Sequence, residues 1–398
     1  MKTVKLKKGE GRVLSAKGAW VYDNEIAEMD PTINDGEIVR IEAYNGFCLG
    51  QGFYNSHSKI RIRLVSRFEN TEINDAFWVS QVQRAYAYRK DLGDLEAVRL
   101  IFGEADFLPG VIVDKFHDLL VIQCLALGME AQKLLIVNTL KTLLEADGQP
   151  IRGIYERSDA KVRVQEGLEK VKGWLSEPTS PLTVITENGV KFEVDVENGQ
   201  KTGFFLDQKS NRLAIQQLVK GKRVLDCFTH TGSFGLNAAI AGAKEVTAVD
   251  VSETAVDLAK RNVQLNKVED RMSLVCADVF EFLPNQAALG QTYDVVILDP
   301  PAFAKAKDAL KMALRGYQEI NEAAIKLITD GGYLVTASCT SYVTPELFTA
   351  AIERAARNAH RRLRQVEVRT QHWDHPILWA DERQPYLKFM IFQVVDER

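Results

Sequence analysis

Short apolar runs alternate with stretches of helical spacing through the last half of the chain. Four of these runs end at or just before an aspartate: Asp226, Asp250, Asp278 and Asp299. The stretch after Ser252 places apolar residues on one helical face, and Ser252 itself is typical of a helix N-cap. Strands that alternate with helices in this way predict a doubly wound, Rossmann-like α/β sheet with the ends of its first four strands side by side.

The remainder of the chain predicts two further domains. Residues 1–70 contain short strand-like runs separated by glycine and Asn-Gly turns, which is typical of a small β-barrel. Residues 71–185 combine a helix at Phe77–Lys90 and another near Ala131–Ala146 with apolar strand-like runs, which predicts an α+β domain. The α/β domain then occupies residues 186–398.

The start and the end of the α/β domain carry their own signals. Pro and Ser residues mark Trp174–Pro181 as a linker. A hairpin is then expected between Lys191–Val196 and Gly203–Leu206, with its turn at Asn198-Gly199. After a helix that begins at Pro345, the last strands are expected to include an antiparallel one.

Composition describes an ordinary globular protein with an uneven distribution of charge. The 398 residues carry a net charge of -4, so the whole chain has no general attraction for nucleic acid. Six Lys or Arg residues and one Glu lie within the first 17 residues, and a second basic group follows at Lys59, Arg61, Arg63 and Arg67. Local patches of this kind bind RNA in small modules, and a solvated sheet face is the alternative interpretation.

Membrane proteins and disulfide-rich proteins are not expected from this sequence. No apolar run reaches membrane-spanning length and the Lys-rich start lacks the apolar segment of a signal peptide, so a cytoplasmic location is expected. The five cysteines show no C-x-x-C spacing: Cys48, Cys124, Cys227, Cys276 and Cys339. Neither a metal site nor a disulfide framework is therefore expected, and the thiols are predicted to be reduced.

The four aspartates predict a nucleoside site. Ligands of open α/β sheets bind beyond the carboxyl ends of the strands, where these carboxylates should lie. Asp250 follows Asp226 by 24 residues, close to the spacing at which an acidic residue binds ribose hydroxyls, and Asp278 can accept from an adenine amine. The Asp226–Gly232 turn lacks the G-x-G-x-x-G loop that binds a pyrophosphate, so S-adenosylmethionine (SAM) fits better than NAD. Each aspartate alone is equally compatible with a helix cap.

Cys339 and the Asp299-Pro300-Pro301 step predict chemistry on a base. The two prolines stiffen the backbone beneath a planar substrate, and Phe303 is placed to stack on an extruded base. Carbon 5 of a pyrimidine is too weakly nucleophilic to take a methyl group directly, so a thiolate must first add at carbon 6. Cys339 follows a strand that should neighbour the one ending at Asp299, whose carboxyl group suits the N3 and N4 edge of cytosine. A small buried hydrophobe is the alternative for Cys339.

Longer motifs occur in all three predicted domains: Gly50-Gln-Gly-Phe-Tyr-Asn, Gly103-Glu-Ala-Asp-Phe-Leu-Pro-Gly, Lys201-Thr-Gly-Phe-Phe-Leu-Asp-Gln, Phe228-Thr-His-Thr-Gly, Asp299-Pro-Pro and Ser338-Cys-Thr. On these motifs the whole chain resembles the RlmI-like family of 23S rRNA (cytosine-C5)-methyltransferases. The resemblance implies an N-terminal PUA domain, a C-terminal class I methyltransferase domain, SAM as methyl donor, 23S rRNA as substrate and Cys339 as nucleophile. A homodimer is also what the family suggests.

These arguments assign roles to individual residues. By resemblance, Lys201–Gln208 would lie near the methionine end of SAM, with Gln208 and Arg212 facing the site. The residues expected to bind the cofactor are Thr202, Gly203, Gln208, Asp226, Phe228, Thr231, Gly232, Asp250, Val251, Asp278, Val279 and Asp299. Those expected to bind substrate or RNA are Pro300, Pro301, Phe303, Arg212, Lys5, Lys7, Lys59, Arg61 and Arg63. Cys339 and Asp299 are the expected catalytic residues.

Two other functions remain open at this point. A methyltransferase that acts on an exocyclic amine or a ring nitrogen would use Asp299-Pro300-Pro301 as a clamp and leave Cys339 idle. An RNA-binding or ribosome-assembly factor could keep the fold and bind SAM without turnover. Ala302 follows Pro301, where many RNA cytosine-C5 enzymes carry a second cysteine, so no residue is assigned to remove the C5 proton.

Overall fold

The computed structural model describes residues 1–16, 18–304, 306–379 and 385–396. Its residues form two compact units, and the chain passes between them more than once. The first unit consists of residues 1–185, 194–206 and the described part of 373–382. The second consists of residues 186–193, 207–372 and the described part of 383–398. No helix in these described ranges is long and apolar enough to cross a membrane.

Six short strands and one short helix form the N-terminal part of the first unit: β1 (Thr3–Leu6), α1 (Arg12–Ala16), β2 (Trp20–Tyr22), β3 (Ile26–Met29), β4 (Ile38–Glu42), β5 (Cys48–Tyr54) and β6 (Ile60–Ser66). The strands make one sheet in the order β2-β6-β5-β4-β1-β3, in which β1 and β4 are parallel. Alternate residues such as Val4, Leu6, Val39 and Ile41 are fully buried and form its core. The predicted β-rich N-terminal part is confirmed.

A second sheet follows in the same unit, with two long helices. The elements are α2 (Asp75–Leu92), β7 (Ala97–Phe102), β8 (Val111–Phe116), β9 (Leu119–Cys124), α3 (Lys133–Ala146), β10 (Gly153–Ser158), α4 (Val162–Gln165) and β11 (Val171–Trp174). The strand order is β11-β10-β9-β8-β7. Asn74 caps α2 by accepting from Phe77 N–H at 3.0 Å. Both predicted helices and the mixture of helix and sheet are confirmed.

The two sheets of the first unit share a buried cluster of polar side chains around Glu166. Its carboxylate accepts from Arg63 Nη2 at 2.9 Å, from Ser58 Oγ at 2.7 Å and from Asn55 Nδ2 at 3.0 Å. Arg63 also pairs with Glu104 at 3.0 Å, and only 8% of its surface is exposed. The prediction that Arg63 contacts RNA is therefore wrong, because its guanidinium is already bound to two carboxylates in the interior.

A two-stranded hairpin, β12 (Leu182–Glu187) and β13 (Val190–Asp195), lies where the chain passes from the first unit to the second. Its turn residues Asn188 and Gly189 have positive φ values of 53° and 79°, as a type I′ turn requires. The predicted pairing of Lys191–Val196 with Gly203–Leu206 is wrong, because β13 pairs with the preceding segment. The strict alternation of exposed and buried positions in β12 was the sequence feature that indicated β12 as the partner of β13.

The second unit contains a seven-stranded sheet with a helix between most successive strands. Its further elements are α5 (Lys209–Ile215), β14 (Arg223–Cys227), α6 (Ser233–Ile240), β15 (Glu245–Asp250), α7 (Glu253–Asn266), β16 (Met272–Cys276), α8 (Val279–Ala288), β17 (Tyr293–Leu298), α9 (Leu310–Leu327), β18 (Ile328–Ser338), α10 (Pro345–Asn358), β19 (Arg361–Arg369) and β20 (Lys388–Asp396). The order is β16-β15-β14-β17-β18-β20-β19, and β20 is antiparallel to both of its neighbours. The doubly wound sheet, its antiparallel end and the Ser252 cap of α7 are confirmed.

Replacing Arg63 by Met should destabilise the protein by about 3–5 kcal/mol, since it leaves the Glu166 carboxylate buried and without its cation. Urea unfolding followed by tryptophan fluorescence measures the loss. Lys59→Met is the matched control, because Lys59 is an exposed basic residue just before the same strand and should change stability by less than about 0.5 kcal/mol. Equal unfolding midpoints for the two variants would contradict the buried role of Arg63.

Candidate active site

The parallel strands of the seven-stranded sheet end together at one edge. Cys227 at the end of β14 is level with Val249 in β15 and with Leu298 in β17. Leu298 is in turn level with Thr336 in β18, three residues before Cys339. The predicted site residues that end or follow these strands are Asp226, Asp250, Asp299 and Cys339. They lie at the same edge, where ligands of open α/β sheets bind.

The Asp226 carboxylate organises the turn between β14 and α6. Its Oδ2 accepts from Gly235 N–H at 2.7 Å and from the Thr229 hydroxyl. A side chain at Gly235 would not fit, because its Cβ would lie 2.8 Å from Met272 Cε and 3.1 Å from Asp226 Oδ2. Gly232, the N-cap of α6, has a φ of 82° that favours glycine. The two glycines therefore let the backbone close around the carboxylate.

The same turn holds two buried polar atoms without a hydrogen-bond partner in the described structure, Asp226 Oδ1 and Thr231 Oγ1. An unpaired buried polar group costs about 1–3 kcal/mol, so a ligand that satisfies these atoms would be stabilising. Phe228 and His230 take φ values of 61° and 50°, which are unusual for such residues and collect at functional sites. The turn therefore has two polar atoms that can hydrogen-bond a ligand, on a backbone of constrained conformation.

Asp250 and Asp278 both bind backbone N–H groups. Asp250 accepts from His230 N–H at 2.8 Å and from Ser252 N–H at 2.9 Å, which ties its loop to the Asp226 turn. Asp278 is exposed and caps α8 by accepting from Phe280 N–H at 2.8 Å. The capping interpretation therefore applies to Asp278, and the binding of ribose and adenine by these two residues stays a prediction.

Four other residues predicted to bind the cofactor lie in the first unit or away from this turn. Thr202 and Gly203 belong to the first unit, where Thr202 donates to Asp114 Oδ2 at 2.5 Å. In the second unit Val251 is exposed and Val279 is buried in the core, with 2% of its surface accessible. Their roles in cofactor binding stay predictions.

Arg212 lies in the interior of the second unit. Its Nε and Nη2 donate to the two carboxylate oxygens of Glu187 at 2.5 and 2.9 Å, and 1% of its surface is exposed. The prediction that Arg212 binds RNA is wrong, because the guanidinium is enclosed and already paired. Burial raises the pKa of Asp299, and the positive charge of Arg212 opposes part of this rise.

The Asp299 carboxylate is held by a chain of amides. Gln208 Nε2 donates to Asp299 Oδ1 at 2.9 Å, and Asn211 Nδ2 donates to Gln208 Oε1 at 2.6 Å. Burial and then the negative charge of Asp207 raise the pKa of Asp299 to about 7. Burial also raises the pKa of Asp226 to about 7. Both carboxyl groups therefore exchange protons near neutral pH, which is typical of functional sites.

Cys339 lies beside the proline step that follows β17. Its half-buried Sγ is 3.8 Å from the carbonyl oxygen of Pro300. Thr340 Oγ1 donates to Ala304 O at 2.8 Å, which joins the thiol-bearing loop to the loop after the prolines. Lys388, at the start of β20, donates to the Thr340 carbonyl from a buried position. Lys388 was not among the site residues predicted from the sequence. The available signal was a lysine at the start of a continuous apolar run, where a charged residue is unusual.

Phe303 belongs to a cluster of aromatic rings at the same edge. Its ring centroid lies 4.7 Å from that of Tyr317, 5.9 Å from that of Phe280 and 6.5 Å from that of Phe228. Phe280 remains 40% exposed, so the cluster presents an apolar surface to solvent. Stacking of a base on Phe303 stays a prediction, which this surface supports.

Known proteins match this chain in sequence and in fold. The family model of the S-adenosylmethionine-dependent methyltransferases matches residues 159–377, and that of the PUA-like domain matches residues 4–67. Ribosomal RNA large subunit methyltransferase I from Enterobacter sp. (strain 638) is 38% identical over 96% of this chain and 97% of its own length. The protein of the same name from Escherichia coli (strain UTI89 / UPEC) matches with the same identity and coverage. SMU.776, assigned as a methyltransferase and solved with SAH, superposes with a TM-score of 0.83 at 22% identity over 99% of this chain and 100% of its own.

The chain is therefore a SAM-dependent methyltransferase of class I fold with an N-terminal PUA-like domain. It belongs to the family of the ribosomal RNA large subunit methyltransferase I proteins. The predicted fold class and cofactor are confirmed. The residues present fit SAM, because the unpaired Asp226 Oδ1 and Thr231 Oγ1 lie at the sheet edge that binds ligands in such folds.

Protein stability should fall between about pH 4 and pH 7 through the two buried carboxyl groups. Their pKa values in the folded chain, about 7, exceed the ordinary 3.8, so the folded state holds these protons more tightly than the unfolded state. The stabilisation is complete below pH 4 and is lost as the pH rises through 7. Asp299→Asn should remove one such contribution, so its stability relative to wild type should rise from pH 5 to pH 8 in urea unfolding.

Asp257→Asn is the control for this experiment, because Asp257 is exposed on α7. Its stability difference from wild type should stay constant across the same pH range. A constant difference for Asp299→Asn as well would show that the Asp299 carboxyl group titrates normally.

Proposed function

We propose that this chain transfers a methyl group from SAM to carbon 5 of a cytosine in 23S rRNA. The position of Cys339 beside Asp299-Pro300-Pro301, with Sγ 3.8 Å from the Pro300 carbonyl oxygen, is the observation that carries the proposal. The relatives at 38% identity are named for ribosomal RNA of the large subunit, which supports this substrate class. The PUA-like match over residues 4–67 supports an RNA-binding N-terminal domain.

The Cys339 thiolate begins the reaction by adding to carbon 6 of the cytosine. The new S–C6 bond displaces the C5–C6 π electrons toward N3 and makes carbon 5 electron-rich. SAM supplies the methyl group that carbon 5 then takes. Methylation re-forms the C4–N3 double bond, and N3 returns its proton to Asp299. A base, to which no residue is assigned, then takes the C5 proton, the C5–C6 double bond forms again, and the thiolate leaves as the S–C6 bond breaks.

Asp299 is suited to the N3 and N4 edge of the base. With a pKa of about 7, its carboxyl group can donate a proton toward N3 and accept a hydrogen bond from the N4 amine. Proton donation to N3 neutralises the charge that thiolate addition places on that nitrogen. Gln208 keeps the carboxyl group in one orientation, and the two prolines leave the backbone beside it rigid.

Replacing Cys339 by Ala should lower 5-methylcytidine formation by at least about 1,000-fold, since the nucleophile is lost. The measurement uses labelled SAM and protein-free 23S rRNA from a strain that lacks this protein, followed by digestion to nucleosides and mass spectrometry. Cys276→Ala, which removes an exposed thiol, is the matched control and should keep wild-type activity. RNA with 5-fluorocytidine at the target should trap a covalent adduct with the wild-type protein, because carbon 5 then has no proton to lose.

The other outcomes separate the alternative functions. Retained methylation by Cys339→Ala, with label in an N-methylated nucleoside, would support direct transfer to nitrogen. SAM binding without label in protein-free rRNA or in partly assembled subunits would favour a binding role without turnover.

We also propose that Lys5, Lys7, Lys59 and Arg61 contact RNA phosphates. Lys7 and Lys59 are exposed and adjoin the same short turn, since Lys7 N–H donates to Glu25 O at 2.8 Å and Asp23 N–H donates to Lys59 O at 3.0 Å. The ammonium of Lys5 lies 5.8 Å from the ring centroid of the exposed Tyr44. A basic surface that includes an aromatic ring is suited to single-stranded RNA.

Replacing these four residues by Gln should flatten the salt dependence of RNA binding. Each lost phosphate contact lowers the slope of log K against log salt concentration by about 0.7–0.9, so the combined change should approach about 3. Filter binding between about 50 and 300 mM salt measures this slope. The control replaces four exposed basic residues of the second unit, Lys260, Arg271, Arg315 and Arg357, and an equal slope change in both variants would contradict a local site.

The proposal also includes the domain boundaries, the location and the oligomeric state. We propose domains at residues 1–70, 71–185 and 186–398, and the PUA-like match over residues 4–67 supports the first boundary. A cytoplasmic location and a homodimer stay predictions.

A further inference from the structure

Lys388 is a buried cation that is not paired with a carboxylate of the described residues. Only 3% of its surface is exposed, and its Nζ donates to the carbonyl oxygens of Thr340 and, at 2.8 Å, Tyr386. None of the ion pairs within the described ranges includes Lys388. An ammonium group in the interior is costly unless an opposite charge is close to it. A residue that could supply a negative charge close to Lys388 is therefore of functional interest.

The register of β18 and β20 places Lys388 next to the Cys339 loop. Ser338 is paired with Lys388 across the two antiparallel strands, and Cys339 is the next residue. The bond from Nζ to the Thr340 carbonyl places the ammonium beside the residue on the other side of Cys339. Burial lowers the pKa of Lys388, and the charge of the Cys339 sulfur opposes this by favouring the protonated amine. The strand register and the charge interaction therefore both associate Lys388 with Cys339.

We propose that Lys388 is the counter-ion of the Cys339 thiolate. Its buried ammonium stabilises the negative sulfur in the free enzyme, so a larger fraction of the nucleophile is ionised before RNA binds. This inference rests on the proposed function for the use of the thiolate, but the ionisation itself is a property of the protein alone. Lys388 is a positioning residue in this role, because it acts on the substrate only through Cys339.

Among the described residues, Tyr317 and Asp299 are titratable groups near the thiol. Burial raises the pKa of Tyr317, and the charge of Cys339 adds to the rise, so the phenol stays neutral beside a thiolate. Asp299 immediately precedes Pro300, whose carbonyl contacts Sγ, and its ionised form opposes the thiolate. Burial lowers the pKa of Lys388 to about 8, so the ammonium is present at pH 7 and is lost above pH 8. The stabilisation of the thiolate should therefore be strongest near neutral pH.

The rate of Cys339 alkylation by iodoacetamide, measured from pH 5 to pH 10 by peptide mass spectrometry without RNA or SAM, tests the proposal. The wild-type midpoint should lie below about 8.5, the ordinary value for a thiol. Lys388→Met should raise the midpoint by about 1–3 units and slow alkylation at pH 7 by about 10-fold or more. Lys388→Arg keeps the charge and should restore the wild-type midpoint.

Lys115→Met is the matched control, because Lys115 is also a buried lysine, with its Nζ bonded to Leu95 O at 2.7 Å, and no cysteine contributes to its pKa. Its Cys339 midpoint should equal that of the wild type. A wild-type midpoint at or above about 8.5 would overturn the proposal, and this result does not depend on the folding of any variant. Equal midpoints for Lys388→Met and wild type would overturn it as well.

The assay also separates this proposal from the proposed function. Unchanged alkylation in Lys388→Met, together with loss of methylation in Cys339→Ala, rejects the counter-ion and keeps the nucleophile. A raised midpoint in Lys388→Met, together with full methylation by Cys339→Ala, keeps the ion pair and rejects the nucleophile.

Discussion

Parallel pairing among β14, β15, β17 and β18 is the constraint on which the site depends. The hydrogen-bonded register brings the carboxyl ends of these strands level, so residues as far apart in the chain as Cys227 and Leu298 become neighbours. A slip of one residue would turn each side chain to the opposite face of the sheet. Leu225 and Val296 are fully buried, so a slip would remove both side chains from their packed positions in the core. Packing in the sheet therefore determines the positions of Asp226 and Cys339.

Burial gives this edge its chemistry. In water the carboxyl groups of Asp226 and Asp299 would be ionised at pH 7, but burial raises both pKa values to about 7. Burial also lowers the pKa of Lys388 to about 8. Groups that titrate near neutral pH can donate and accept protons during a reaction, which groups at their ordinary pKa values do less well. The buried arginines behave differently, because Arg63 and Arg212 form ion pairs with carboxylates in the interior.

Prediction from the sequence succeeded where the signal was local. The alternation of strand and helix, the Ser252 cap and the antiparallel last strand all depend on residues close together in the chain. β13 was assigned to the wrong partner strand because an Asn-Gly step lies on each side of it. The choice between a turn at Asn188-Gly189 and one at Asn198-Gly199 depends on which flanking segment has a buried face. Arg63 and Arg212 were misassigned for a related reason, since a basic residue has the same appearance in sequence whether it is exposed or paired.

Local sequence was sufficient for the order of the elements, for the family and for the residues that end the parallel strands, because periodicity and short motifs are properties of neighbouring residues. Tertiary structure alone decided which charges are exposed, paired or left beside a reactive group. Glu166 lies about 100 residues from Arg63, and Lys388 lies 49 residues from Cys339. The environment of each depends on contacts between distant segments, and burial of those contacts then determines the pKa values on which the chemistry relies.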